Sequence, residues 1–232
     1  MRQLALGVEL GLTRRFRTFH EGANGAAIAA LRRLAGGGSS APIWLFGPPG
    51  SGKSHLLQAS CAEAGEHGLA VAYLPLAAVR AEDPAMLAGY ERLGLVALDD
   101  VDAVAGDTRW ERVLFTLYND LAEQNGSLVA AALLAPARLG FRLPDLASRF
   151  AASEVQRLKP LAEPDQAEAL RRRAGHRGLE LPDETLTYLT RRAPRDFAAL
   201  CRLLDELDTE SLAAQRKLTV PFVRDWLARA GA

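Results

Sequence analysis

The sequence predicts an α/β fold: a parallel β-sheet sandwiched between helices around a phosphate-binding loop, with a small α-helical domain after it. Three observations carry the prediction. Short apolar runs alternate with helical segments between residues 43 and 158, the pattern of a parallel sheet wrapped by helices. The glycine-rich stretch G-P-P-G-S-G-K-S, Gly47 to Ser54, directly follows the first of those runs. Beyond Pro160 no strand-like run appears, and helical segments punctuated by proline continue to the end.

The elements follow in order. Ile43 to Phe46, Leu69 to Leu74, Leu95 to Leu98, Leu128 to Leu134 and Glu154 to Leu158 are the candidate strands. Between the third and fourth, Trp110, Val113, Leu114, Leu117, Tyr118 and Leu121 recur at helical spacing, which predicts an amphipathic helix covering one sheet face. Gly36 to Ser40, G-G-G-S-S, reads as a flexible loop rather than an interdomain linker. Pro164, Pro182, Pro194 and Pro221 fit helix starts, where a missing N–H costs nothing. The expected organisation is an N-terminal segment at 1–15, an α/β domain at 16–160 and a helical domain at 161–232, without internal repeats.

Composition narrows the function. The chain has 232 residues, with 28 Lys and Arg against 28 Asp and Glu. Cationic side chains on phosphates supply most non-specific affinity for nucleic acid, so a balanced charge demotes direct binding to DNA. The longest apolar run, Leu128 to Ala135, is far short of the ~20 residues that span a bilayer. Glu9, Arg14 and Arg15 interrupt any signal-peptide core, so a cytoplasmic protein without a membrane partner is expected. Cys61 and Cys201, like the four histidines, lack metal-ligand spacing; the thiols are expected to be reduced and packed.

Gly47 to Ser54 satisfies the G-x-x-x-x-G-K-[ST] pattern between a strand and a helix, where its chemistry requires it. Backbone amides of Pro49-Gly50-Ser51-Gly52 and the following turn curl around phosphates, apart from the proline, which has no N–H. Lys53 reaches the terminal phosphates, the Ser54 hydroxyl ligates magnesium, and His55 continues the helix. In L-V-A-L-D-D, Leu95 to Asp100, a buried strand ends in two carboxylates. Such a pair can solvate a loop or cap a helix. Beside a phosphate loop, Asp99 is expected to hold magnesium partly through water and Asp100 to orient the attacking water.

These pieces together resemble the AAA+ ATPases of the bacterial replication-initiator (DnaA) type, and within them the branch of regulatory inactivators of that initiator. The resemblance covers nearly the whole chain. Besides the phosphate loop it rests on F-R-T-F-H-E-G-A-N at Phe16 to Asn24, L-P-D-L-A-S-R-F at Leu143 to Phe150, A-Q-R-K-L-T-V-P-F-V at Ala214 to Val223, and Q-L-A-L at Gln3 to Leu6. It implies that the first segment, with Phe19, lies near the adenine of bound ADP or ATP. It implies that the S-R-F triplet makes Arg149 an arginine finger acting on a partner's γ-phosphate, although any single surface arginine can equally serve in a salt bridge. Q-L-A-L is similar to peptides that dock on the sliding clamp of the replicative polymerase: Gln3 offers hydrogen bonds, Leu4 and Leu6 apolar anchors. Packing on the protein's own core is the alternative for those residues.

The resemblance thus implies a clamp-bound adaptor that binds adenine nucleotide with Mg2+ and stimulates hydrolysis of ATP on the initiator. DNA would be reached only indirectly, since the chain is expected to end where the initiator's DNA-binding domain would begin. Two departures bear on its own turnover. Val129 to Pro136 offers no polar side chain where the family senses the γ-phosphate, and the second sensor arginine falls at Ala198, with Arg195 one turn earlier. Rival readings are an autonomous ATPase of helicase-loader type and a binding module in which nucleotide is only a structural staple. A homodimer is compatible with the sequence, either head to tail with Arg149 facing the phosphate site of a second copy or as a closed inactive dimer. Arg171, Arg172, Arg173 and Arg177, with Arg191, Arg192 and Arg195, read as solvated basic helix faces.

Overall fold

The computed structural model describes residues 14–38, 41–192 and 197–230. They fall into two compact units that divide after Lys159.

The first unit opens with a 3-10 turn at Phe16–Thr18 and helix α1 (Gly25–Ala35), then β1 (Ile43–Phe46), α2 (Lys53–Glu66), β2 (Val71–Pro75) and a short α3 (Leu76–Val79). Two further 3-10 turns lead to β3 (Leu95–Asp99), and another at Val101–Ala103 leads to α4 (Thr108–Glu123). The unit ends with β4 (Ser127–Ala132), α5 (Pro144–Ala151) and β5 (Glu154–Arg157). The sheet order is β2-β3-β4-β1-β5, and every adjacent pair is parallel. Trp44 sits opposite Ala130 on one side and Val155 on the other.

All residues of β3 and β4 are buried, as expected for parallel strands covered on both faces. Alternate side chains feed two cores. Ile43, Leu45, Leu95, Ala97 and Val129 pack with Leu31, Leu34, Leu56 and Leu57 of α1 and α2. Trp44, Val96, Leu98 and Leu128 pack with Trp110, Leu114, Leu121 and Phe150 of α4 and α5.

The strand expected at Leu69 to Leu74 instead begins at Val71. Gly68 takes a left-handed φ of 82° and the Leu69 amide bonds back to Ala64 O at 3.1 Å. Leu69 therefore belongs to the end of α2, where such a glycine closes the last turn. The run expected to continue to Leu134 leaves the sheet after Ala132, and Leu133 and Leu134 are exposed.

The second unit packs α6 (Glu163–His176), α7 (Asp183–Arg192), α8 (Phe197–Ala214) and α9 (Val220–Ala230) around Leu170, Leu186, Leu204, Leu207, Phe222 and Val223. Pro164 lies in the first turn of α6 and Pro221 in that of α9, while Pro182 immediately precedes α7; Pro194 falls outside the described residues. Part of the basic run on α6 is committed to internal ion pairs. Arg173 grips both Asp205 oxygens, at 3.1 and 2.7 Å, and Arg177 pairs with Asp205 and Asp208. Arg171 pairs with Glu168 and Asp183, and Arg172 with Glu168.

Asp205 thus joins α6 to α8 through two arginines. Asp205→Ala is expected to destabilise this unit by roughly 1.5–3 kcal/mol, the range for hydrogen bonds to charged groups. Amide hydrogen exchange checks it: protection should fall in α6 and α8 while sheet amides keep theirs.

Candidate functional site

β1 delivers the chain into the loop at the carboxyl end of the sheet, and α2 leaves it. Gly50 and Gly52 take φ of 77° and 92°, a left-handed region that side chains disfavour. Gly52 is doubly constrained, because a Cβ there would lie 2.4 Å from the Phe19 ring. Pro49 is exposed, and Gly50 and Ser54 are half-buried. Ser51 Oγ is buried without a hydrogen-bond partner, as suits a hydroxyl beside a phosphate position.

Lys53 is 7% exposed, and its Nζ donates to Gly47 O at 2.8 Å and Pro48 O at 3.1 Å. Burial pushes the ammonium below its ordinary pKa, and the charges of Asp99, Asp100 and Asp102 oppose the shift. The structure therefore brings Lys53 and the acidic pair into one electrostatic cluster.

Asp99 ends β3 with 1% exposure. Its Oδ2 accepts from Tyr73 Oη at 2.8 Å and its Oδ1 from the Asp100 amide at 3.0 Å, which fixes the carboxylate plane. Burial, then the Asp99 charge, push the Tyr73 phenol well above its usual range, so it stays protonated and donates. Asp100 occupies a left-handed φ of 54°. Burial and the charges of Asp99 and Asp102 raise its carboxyl above the ordinary value, while Lys53 lowers it. Asp102 Oδ1 accepts from the Leu133 amide at 3.0 Å, so the end of β4 offers backbone here.

The Phe16–Asn24 segment lies against the first turn of α2. Phe19 meets the His55 ring edge to face at 5.3 Å. His55 Nε2 lies 3.0 Å from Arg15 O and 3.2 Å from Thr18 Oγ1. A carbonyl only accepts, so Nε2 carries the proton. Asn24 is buried and closes the segment: its Oδ1 accepts from the Lys159 amide at 2.8 Å and its Nδ2 donates to Lys159 O at 3.0 Å.

Arg149 stands apart from this cluster on α5. Leu146 and Phe150 on the same helix are buried, and Phe150 packs against Trp44 at 4.8 Å, Phe141 at 5.7 Å and Tyr118 at 5.8 Å. Arg149 itself is exposed, and among the described residues no carboxylate pairs with it. Gln3, Leu4, Leu6 and Arg195 lie outside the described residues; Ala198 lies in α8.

Sequence reading missed Tyr73, Asp102, Asn24 and Glu111. Glu111 sits at 0% exposure on the apolar stripe of α4 and accepts three backbone amides. A carboxylate interrupting that stripe was the available signal. Among the described residues no group of three or more His, Cys, Asp or Glu could hold a metal on its own. The hydroxyl of Ser54 and the carboxylate of Asp99 are oxygen groups of the kind a magnesium ion takes when it shares its ligands with phosphates. No helix among the described residues is long and apolar enough to cross a membrane.

The raised Asp100 pKa means that the ionised carboxylate is disfavoured in the fold. Its contribution is stabilising below the ordinary carboxylate value and is lost as pH rises through the higher folded value. Asp100→Asn, which also tolerates a left-handed φ, should therefore stabilise the protein at neutral pH by up to about 1 kcal/mol, a solvent-screened magnitude. Denaturant titrations should show the advantage closing as the pH falls through the carboxylate range.

Comparison with known proteins follows the same division of the chain. Residues 10–155 match the family of bacterial DnaA ATPase domains, and residues 163–227 match the lid domain of Hda. Domain III of the Thermotoga maritima replication initiation protein DnaA is similar in fold, with 22% identity and a TM-score of 0.79 over 91% of this chain and 94% of that one. A replication initiator DnaA bound to AMPPCP and single-stranded DNA matches at 24% identity and a TM-score of 0.68, over 86% of this chain and 66% of that one. The Thermotoga maritima RuvB Holliday junction branch migration motor matches at 18% and 0.64, over 88% and 67%. This chain spans about two thirds of the length of the latter two. Because the ATPase-domain match covers more than half of the chain and the lid match most of the remainder, the protein belongs to the DnaA-related AAA+ family, with a lid of the Hda type.

Proposed function

We propose that this protein is a negative regulator of replication initiation: a sliding-clamp-bound AAA+ adaptor that stimulates hydrolysis of ATP held by the DnaA initiator. The observation that carries the reading is Arg149. It lies on a helix anchored by two buried side chains, yet its own side chain is exposed and has no carboxylate partner among the described residues. A planar cation held in that way suits a phosphate supplied by another molecule, where it stabilises charge on the transferring phosphoryl group. Hydrolysis would convert the initiator from its ATP form to its ADP form.

In the protein's own loop, Lys53, Ser51 and the amides at the start of α2 would hold the phosphates of ADP or ATP. Phe19 and His55 close the side towards the adenine. A magnesium ion there, bound through Ser54 and partly by way of water to Asp99, would neutralise phosphate charge. The family relation favours ADP. Leu133 stands where a polar sensor would act, which supports a slow turnover of this protein's own nucleotide even with Asp100 available to orient water. Gln3, Leu4 and Leu6 would dock on the clamp, and the clamp would supply the grip on DNA that a balanced charge does not.

A reconstituted assay with initiator, clamp and DNA tests the reading. Arg149→Ala should lower stimulated hydrolysis by roughly 10³-fold or more, the range reported for arginine fingers supplied in trans. Arg149→Lys should not restore it, because the planar fork is lost. An undiminished rate with Arg149→Ala refutes the finger. Turnover by this protein alone, lost in Lys53→Ala, would favour a helicase-loader-type ATPase instead. Separately, replacing Leu4 and Leu6 together by Ala should abolish retention on the loaded clamp in a gel-filtration assay; persisting retention would refute the clamp contact.

A further inference from the structure

We propose that Glu111 is a positioning residue for Arg149, an inference that rests on the finger reading above. The Glu111 carboxylate is fully buried in α4, and no cationic side chain among the described residues pairs with it. Its partners are backbone amides. Oε1 accepts from Gly106 N at 2.6 Å and Arg142 N at 3.1 Å, and Oε2 accepts from Leu143 N at 2.7 Å.

Two of those donors mark the start of α5, for which Leu143 is the N-cap residue and Arg142 the residue before it. Leucine has no polar side chain with which to fix a helix start, so the acceptor comes from α4. The same helix holds the other end of α5: Tyr118 Oη donates to Arg149 O at 3.3 Å, and the Tyr118 ring meets Phe150 edge to face. α5 is thereby held at both ends by α4 while the Arg149 side chain stays in solvent. A carboxyl group whose two oxygens accept from three backbone amides of separate segments holds those segments against reorientation. The third bond matters separately. Gly106 lies between the 3-10 turn at Val101–Ala103 and the start of α4, so this bond fixes the entry into α4, the helix that carries the anchor.

Glu111→Gln tests the inference on the full chain, because it keeps shape and one acceptor oxygen but sets an amide against an N–H. Exchange of the Arg142 and Leu143 amides should accelerate about tenfold, as expected for one weakened hydrogen bond, with the amides of β1 and β3 unchanged. ADP affinity should remain that of the parent protein. At saturating adaptor the stimulated rate should fall about tenfold to a hundredfold, the cost of an ångström-scale misplacement, while the half-saturating concentration stays constant. Unchanged exchange at both amides, or a full stimulated rate despite faster exchange, overturns the proposal. Arg149→Ala run in parallel separates the two ideas: if it does not reduce stimulation, the finger reading is what has failed. Should Glu111→Gln lose protection throughout the fold, Glu111→Asp, which keeps the carboxyl group and shortens the reach, is judged by the same criteria.

Discussion

Burial of the Lys53 ammonium is the constraint around which the nucleotide domain is arranged. Taking an ammonium out of water costs several kcal/mol unless partners replace its hydration. Here two loop carbonyls take its hydrogen bonds while Asp99, Asp100 and Asp102 supply opposite charge. Those partners come from different places in the chain, so the sheet must assemble before the lysine is tolerable. The carboxylates are crowded in turn, and Asp100 carries the cost as a raised pKa while Asp99 is fixed by Tyr73. The site is therefore charged and oriented in advance of any ligand, and phosphate oxygens could take over the role of the loop carbonyls.

Strand order determines what stands in the middle of this cluster. β4 lies between β1, which feeds the phosphate loop, and β3, which ends in Asp99. With neighbouring strands about 4.8 Å apart, the carboxyl end of β4 falls between lysine and carboxylate. At that point the chain offers Leu133, whose side chain is exposed and whose amide serves Asp102. A polar group there could report on a terminal phosphate; a leucine cannot. On the proposed reading, this is why turnover of the protein's own nucleotide would be slow.

Much of this was legible in the sequence because its signals are local. The bounds of β1 and the start of β3 follow from apolar runs, and the phosphate loop from residues adjacent in the chain. β2 was placed two residues early because Leu69 is apolar, whereas its conformation is set by the left-handed Gly68 that closes α2. The residues that escaped notice act over distance: Asn24 meets Lys159, Tyr73 meets Asp99, and Glu111 meets Leu143. The basic run on α6 reads as a solvated face until α7 and α8 supply Asp183, Asp205 and Asp208. Overall charge balance in the sequence is, in this domain, a set of specific pairs.

Arg33, Arg109, Arg171, Arg172, Arg173 and Arg177 each have a carboxylate within the chain. Arg149 differs from those paired arginines, but it shares its lack of a carboxylate partner among the described residues with Arg112, Arg138, Arg142 and Arg157; its place on a helix seated by Leu146 and Phe150 is what distinguishes it. An unpaired arginine in water costs the fold almost nothing, because the guanidinium remains hydrated. Its interaction free energy is realised only where water is excluded and the local dielectric falls, which this surface alone does not provide. On the proposed finger role, that free energy would be realised in a docked complex, and the strength of the contact would follow from how accurately α4 sets the start of α5.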